Sequence, residues 1–147
     1  PYSGAYGRSL ETVEQYISLY PSIKVVLDIH RDALNDAYSP KYKLVTEING
    51  KKAAQIMLVI GTDQSGDNHP QWRENLKLAV QIQREMATRY KLLARPIKLT
   101  KSGYNQFVSQ GAMIVEVGAN GNSLEEAIYG GKLFAASLSS VLSSNFD

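Results

Sequence analysis

The run Ile56-Met57-Leu58-Val59-Ile60 holds five apolar residues with no polar alternation. A strand wetted on one side alternates apolar with polar, so this one is expected to be buried on both faces. Such burial needs covering layers, which points to a sheet with helices packed against it. Ala112 to Val117 reads as a second strand, and its one charged residue is Glu116.

The remaining elements are read around these two. Leu10, Val13, Ile17 and Tyr20 recur at helical spacing, and Pro21 stops that helix. Ile23 to Ile29 is a short strand rich in β-branched residues, and Asn35 to Pro40 is a loop. Asn49-Gly50 is a strong hairpin signal, flanked by Lys43 to Ile48 and by Ala53 to Ile60. The first arm alternates and is expected to be half exposed. Gly61 to His69 is a polar loop, and Pro70 opens a helix running to about Tyr90. Its apolar line is Trp72, Leu76, Ala79, Gln83, Met86 and Tyr90, with Val80, Ile82 and Ala87 beside it. Ser123-Leu124-Glu125-Glu126 has the form of a capping box and starts the last helix. Gly130 and Gly131 inside that helix each cost about 1 kcal/mol relative to alanine, so close packing against another backbone is expected there. The expectation is an α/β domain: a mixed, largely parallel sheet flanked by helices, with a β-hairpin at about 43–60.

A length of 147 residues fits one domain with a substantial core. A net charge of +2 gives no electrostatic case for nucleic acid, so no nucleic-acid partner is expected. The absence of cysteine removes disulfides, thiol catalysis and thiolate zinc sites. No apolar run approaches the roughly 20 residues of a membrane-spanning helix. A chain that begins at Pro1 is expected to be a piece of a longer protein.

Chemistry is expected where apolar strands end in ionisable groups. Val25-Val26-Leu27-Asp28-Ile29-His30-Arg31-Asp32-Ala33 delivers a histidine between two aspartates at the carboxyl end of a strand, where open α/β sheets place their sites. His30 could be a loop histidine satisfied by one hydrogen bond, or a metal ligand. The two-residue period puts Asp28 and His30 on one face, and a ligating histidine commonly has its other nitrogen oriented by a carboxylate, here Asp28 or Asp32. Glu116 shares a face with Ala112 and Ile114; it is either a buried carboxyl that needs a cation, a metal or a shifted pKa, or a strand-end glutamate reaching solvent. A glutamate ending one buried strand and a histidine ending another is the layout of a metallohydrolase, in which the carboxylate takes a proton from water. His69 fits a capping or loop role better than ligation. Arg73, Glu74 and Asn75 face either a substrate groove or solvent, and the nine tyrosines line either a sugar-binding surface or packing contacts. No Ser-His-Asp order, phosphate-binding glycine loop or dinucleotide fingerprint is present.

Several separated motifs then occur in the order found in one family. They are Tyr6-Gly7-Arg8-Ser9-Leu10, Pro21-Ser22-Ile23 leading to Asp28-Ile29-His30-Arg31-Asp32-Ala33, and Asn68-His69-Pro70-Gln71-Trp72-Arg73-Glu74-Asn75-Leu76-Lys77-Leu78-Ala79. Tyr104-Asn105-Gln106, Ile114-Val115-Glu116-Val117-Gly118 and Asn122-Ser123-Leu124-Glu125-Glu126-Ala127 complete the set. Over nearly its whole length the chain resembles the stage II sporulation protein P family, which is similar to zinc-dependent N-acetylmuramoyl-L-alanine amidases. The resemblance implies an amidase-like fold and hydrolysis of peptidoglycan amides, with cross-link endopeptidase cleavage also credited to the family. It implies action in forespore engulfment, outside the cytoplasmic membrane, by a protein whose anchor is not in this chain. The implied partners are peptidoglycan and a lytic transglycosylase, stage II sporulation protein D. Matched position by position, His30 corresponds to the later histidine ligand of Zn2+ and Glu116 to the catalytic glutamate. The family's first ligands, a histidine and a glutamate, lie upstream of the segment that this chain matches. The chain is therefore expected to be the C-terminal part of one catalytic domain, inactive alone unless another segment or a second chain supplies the N-terminal half. The alternative from another class is a non-catalytic cell-wall binding or scaffolding module of the same fold.

Overall fold

The computed structural model describes residues 4–33, 42–64, 66 and 68–146. Helix α1 (Ala5–Leu19) leads to strand β1 (Val25–Asp32), followed by β2 (Val45–Ile48), β3 (Lys51–Ala54) and β4 (Ile56–Gly61). Helix α2 (Trp72–Arg89), strand β5 (Lys98–Thr100), a 3-10 turn (Gln106–Val108), strand β6 (Gly111–Ala119) and helix α3 (Leu124–Phe146) complete the order. The loop expected at Asn35 to Pro40 lies outside the described residues.

Four strands form one sheet in the order β1-β6-β4-β5. The β1–β6 and β4–β5 pairs are parallel and β4–β6 is antiparallel, so the sheet is mixed and mostly parallel as expected. Every residue of β4 is buried. On one face Ile56, Leu58, Ile60, Met113 and Val115 meet α2 and α3 through Ala79, Ile82, Met86, Leu133 and Phe134. On the other face Met57, Val59 and Ile114 form a smaller cluster with Tyr104.

The hairpin differs from expectation in its second arm. Asn49 and Gly50 both take positive φ, 52° and 73°, as a two-residue turn of this kind requires. The arm beginning at Lys51 nevertheless ends at Ala54, and Ile56 starts a strand of the other sheet. Gln55 is the switch: its N–H donates to Leu44 O, while its carbonyl accepts from Gly118 N. A fully apolar strand gains more from two covered faces than from pairing with a half-polar arm, so the pattern change at Gln55 marks the sheet boundary. Strand β5, not expected from the pattern, has only three residues and two of them are exposed. Its pairing is imposed by the free side of β4.

Helix α2 buries Asn75, Ala79, Ile82 and Met86, whereas Val80 and Ala87 lie on its solvent side. The capping box at α3 is reciprocal: Ser123 N donates to Glu126 Oε2 at 3.0 Å, and Glu126 N donates to Ser123 Oγ at 3.2 Å. The two helical glycines are not equivalent. A Cβ on Gly130 would collide with the Ala54 carbonyl, whereas one on Gly131 would meet open space. Gly130→Ala is therefore expected to destabilise the fold by about 1–3 kcal/mol through forced separation of α3 from β3. Gly131→Ala should stabilise it by about 0.5–1 kcal/mol through helix propensity. Urea unfolding of the two variants checks both signs.

Candidate functional site

The face of the sheet opposite α2 and α3 carries the ionisable residues. β1 runs on to Asp32, past the end expected at Ile29, so His30 lies within the strand. In the parallel β1–β6 register, His30 is paired with Glu116, and on the other side of β6 Glu116 is paired with Met57. Residues paired across neighbouring strands share a face about 4.8 Å apart, so His30 and Glu116 sit side by side. The register slips between His30 and Asp32, a bulge that re-aims the end of β1.

The two aspartates take different partners. Asp28 Oδ1 lies 2.9 Å from His30 Nε2, with both side chains about two-fifths exposed at 43% and 41%. Asp32 Oδ2 instead pairs with Arg95 at 3.0 Å, and that pair is mostly buried. Arg95 is held beside the site by its own backbone, whose N–H donates to Ile56 O. Lys98 joins the same face through its register with Val59. Neither Arg95 nor Lys98 was legible as a site residue, because only the β4–β5 crossover brings them near Glu116.

Glu116 is half buried, and its Oε2 is buried with no hydrogen-bond partner among the described residues. Burial raises its carboxyl above the ordinary carboxylate range, and Asp32 adds to the rise. His30, Lys98 and Arg95 oppose it. A desolvated carboxyl held toward its protonated form beside a histidine can accept a proton from water or give one to an amine.

The carboxyl ends of β1 and β6 are fixed by a polar knot. The Arg31 guanidinium donates to the Ala119 carbonyl at 2.9 Å and also to the Asn122 carbonyl. Asn122 Oδ1 accepts from Ala119 N and Leu44 N, while its Nδ2 donates to Leu44 O and Glu126 Oε2. Gly118 has φ +67°, and a Cβ there would strike Asn122 Oδ1. Burial alone would raise the Glu126 carboxyl, but Lys43 at 2.6 Å, the Ser123 amide and Asn122 outweigh it and hold it below the usual range. The knot ties the carboxyl ends of β1 and β6 together beside His30 and Glu116.

The other sequence candidates lie elsewhere. Asn75 is fully buried and donates to the carbonyls of Gln106, Ser109 and Ala112, so it faces neither groove nor solvent. Ala112 precedes Glu116 by four residues along β6, about 13 Å. His69 is buried at the start of α2, and its carbonyl accepts from Trp72 N; it belongs to that end of the sheet. Arg73 stacks over Trp72 at 4.5 Å and Glu74 faces Lys77 in solvent. Tyr104-Asn105-Gln106 is structural: Asn105 donates to Tyr6 O at 2.7 Å, and Gln106 bonds both Gly61 N and Val59 O.

Among the described residues no group of three or more His, Asp or Glu is arranged to hold a metal ion. His30 offers one nitrogen ligand, and the orphaned Glu116 oxygen offers a carboxylate beside it. This donor set fits part of a zinc centre with an adjacent base, and it requires further ligands from outside the described residues. No helix among those residues is long and apolar enough to cross a membrane.

A family model, Stage II sporulation protein P (SpoIIP), matches residues 1–139. Stage II sporulation protein P of Bacillus subtilis (strain 168) is 26% identical over 130 residues, covering 85% of this chain and 30% of that protein. The chain thus spans less than a third of the length of that relative. No solved structure matches. The chain belongs to the Stage II sporulation protein P family.

Proposed function

We propose that this member of a sporulation protein family is the C-terminal part of the catalytic domain of a zinc-dependent peptidoglycan amidase, cutting the bond between N-acetylmuramic acid and L-alanine. Its setting would be forespore engulfment, in a protein anchored outside the cytoplasmic membrane and working with the transglycosylase stage II sporulation protein D. The observation that carries the reading is the pairing of His30 with Glu116, whose buried Oε2 has no hydrogen-bond partner among the described residues. The family resemblance assigns the same two residues to the same roles.

In this reading His30 supplies one zinc ligand, and the others come from sequence outside this chain or from a second chain. Zinc bound there would polarise the amide carbonyl and acidify water. Glu116 takes the proton of the attacking water and then delivers it to the departing amine. Its raised pKa suits both directions, since the group must accept a proton and give it back within one turnover. The Arg31–Asn122 knot keeps donor and acceptor in register.

The test is muropeptide release from purified peptidoglycan by the full-length protein. New L-alanine amino termini should form, and His30→Ala should abolish them. Release of other bonds without new L-alanine amino termini would overturn the amidase assignment, and binding without any release would favour the scaffolding reading.

A further inference from the structure

Two carboxylates flank His30 in the sequence, and the fold gives them different work. Asp32 is committed to Arg95 at 3.0 Å in a mostly buried pair. Asp28 faces the imidazole, with Oδ1 2.9 Å from Nε2. They are two residues apart on one strand, so no loop movement is needed to keep them together. A carboxylate accepts only, so the hydrogen in this contact belongs to Nε2.

We propose that Asp28 is the positioning residue of the metal-binding histidine: by accepting the Nε2 hydrogen it fixes the neutral ring in one tautomer and leaves Nδ1 as the ligating nitrogen. The zinc half of this proposal rests on the function proposed above. The tautomer half rests on the Asp28–His30 contact alone. The tautomer of a histidine is set by the hydrogen bond its other nitrogen makes, and a carboxylate in that place also raises the basicity of the ligating nitrogen. A simple surface ion pair would hold a charged imidazolium and would not choose between nitrogens. The geometry also separates the two aspartates. Asp28 acts on the ligand, whereas Asp32 acts on the charge around Glu116 and is neutralised by Arg95.

Asp28→Asn is the informative substitution. The side chain is partly exposed and the change is isosteric, so the fold is retained. An amide can donate as well as accept, so the exclusive demand for a hydrogen on Nε2 is lost and rings with the hydrogen on Nδ1, which blocks the ligating atom, become populated. The experiment uses the full-length protein with 15N-labelled histidine, with the His30 signals identified by their loss in His30→Ala. In the zinc-free protein, at a pH where the ring is neutral, wild type should show the Nε2–H pattern. Asp28→Asn should shift toward Nδ1–H, and its zinc affinity, measured by chelator competition, should fall about 10–100-fold. An unchanged tautomer in Asp28→Asn, or unchanged zinc affinity, would overturn the proposal. A wild-type protein that takes up no zinc would overturn the zinc reading instead, and the tautomer comparison would still decide the role of Asp28.

Discussion

Replacing Glu116 with glutamine is expected to lower amide hydrolysis by the full-length protein by about 10²–10⁴-fold, the range for loss of a positioned acid–base group. Glutamine keeps the shape of the side chain but can neither take a proton from water nor return one to the amine. The same substitution carries a stability signature of opposite sense. Burial raises the Glu116 carboxyl in the folded protein, so folding favours its protonated form. Below the ordinary carboxylate range both folded and unfolded chains are protonated, and the group contributes no pH-dependent penalty. As pH rises toward the folded value, the unfolded chain ionises first and wild type loses stability. Above the folded value the loss is complete. The stability gained by Glu116→Gln should therefore grow with pH through that window and then level off. Denaturant unfolding of both proteins from pH 4 to 8 checks the sign. A catalytic loss accompanied by falling stability would mean that Glu116 acts as a structural residue.

Asn75→Ala is expected to produce the largest loss of stability, about 3–5 kcal/mol. The Asn75 side chain is fully buried at the start of α2 and donates to three carbonyls, with Ala112 O the nearest at 2.6 Å. Its removal takes the side-chain donor from the buried Gln106 and Ala112 carbonyls, while Ser109 O keeps its bond from Ala112 N, at the point where α2, the 3-10 turn and the start of β6 meet. The urea midpoint should drop, with the slope of the transition unchanged. A loss below about 1 kcal/mol would mean that the carbonyls are satisfied by other groups. The remoteness of Asn75 from Glu116 separates the two predictions, since its loss acts through folding and not through the proton-transfer step.

The two apolar strands were legible because burial on both faces leaves a continuous pattern, and β4 and β6 follow it almost residue for residue. The capping box and the Asn49-Gly50 turn were legible because their chemistry is local. Strand β5 was not, because three residues with two exposed carry no period and obtain their pairing from β4. The hairpin was half legible: the turn was read, but sequence could not show that Gln55 hands the chain from one sheet to the other.

The site followed the same division. His30 and Glu116 stood out as ionisable groups in apolar strands, and the register brings them together. The partition of the aspartates, Asp28 to His30 and Asp32 to Arg95, depends on a bulge and on a residue 63 positions away, neither visible as a pattern. Asn75 and Gln106 read as candidate groove or motif residues, yet each is a buried tie between elements. Polar residues in a motif mark chemistry or architecture, and only the partners distinguish the two.

Metal retention decides whether His30 is a metal ligand and Glu116 its neighbouring base. Zinc content is measured for the full-length protein and for its His30→Ala and Glu116→Gln variants after dialysis against metal-free buffer. Wild type and Glu116→Gln should each retain about one zinc per polypeptide, and His30→Ala should retain none. Equal zinc in wild type and His30→Ala would contradict the claim.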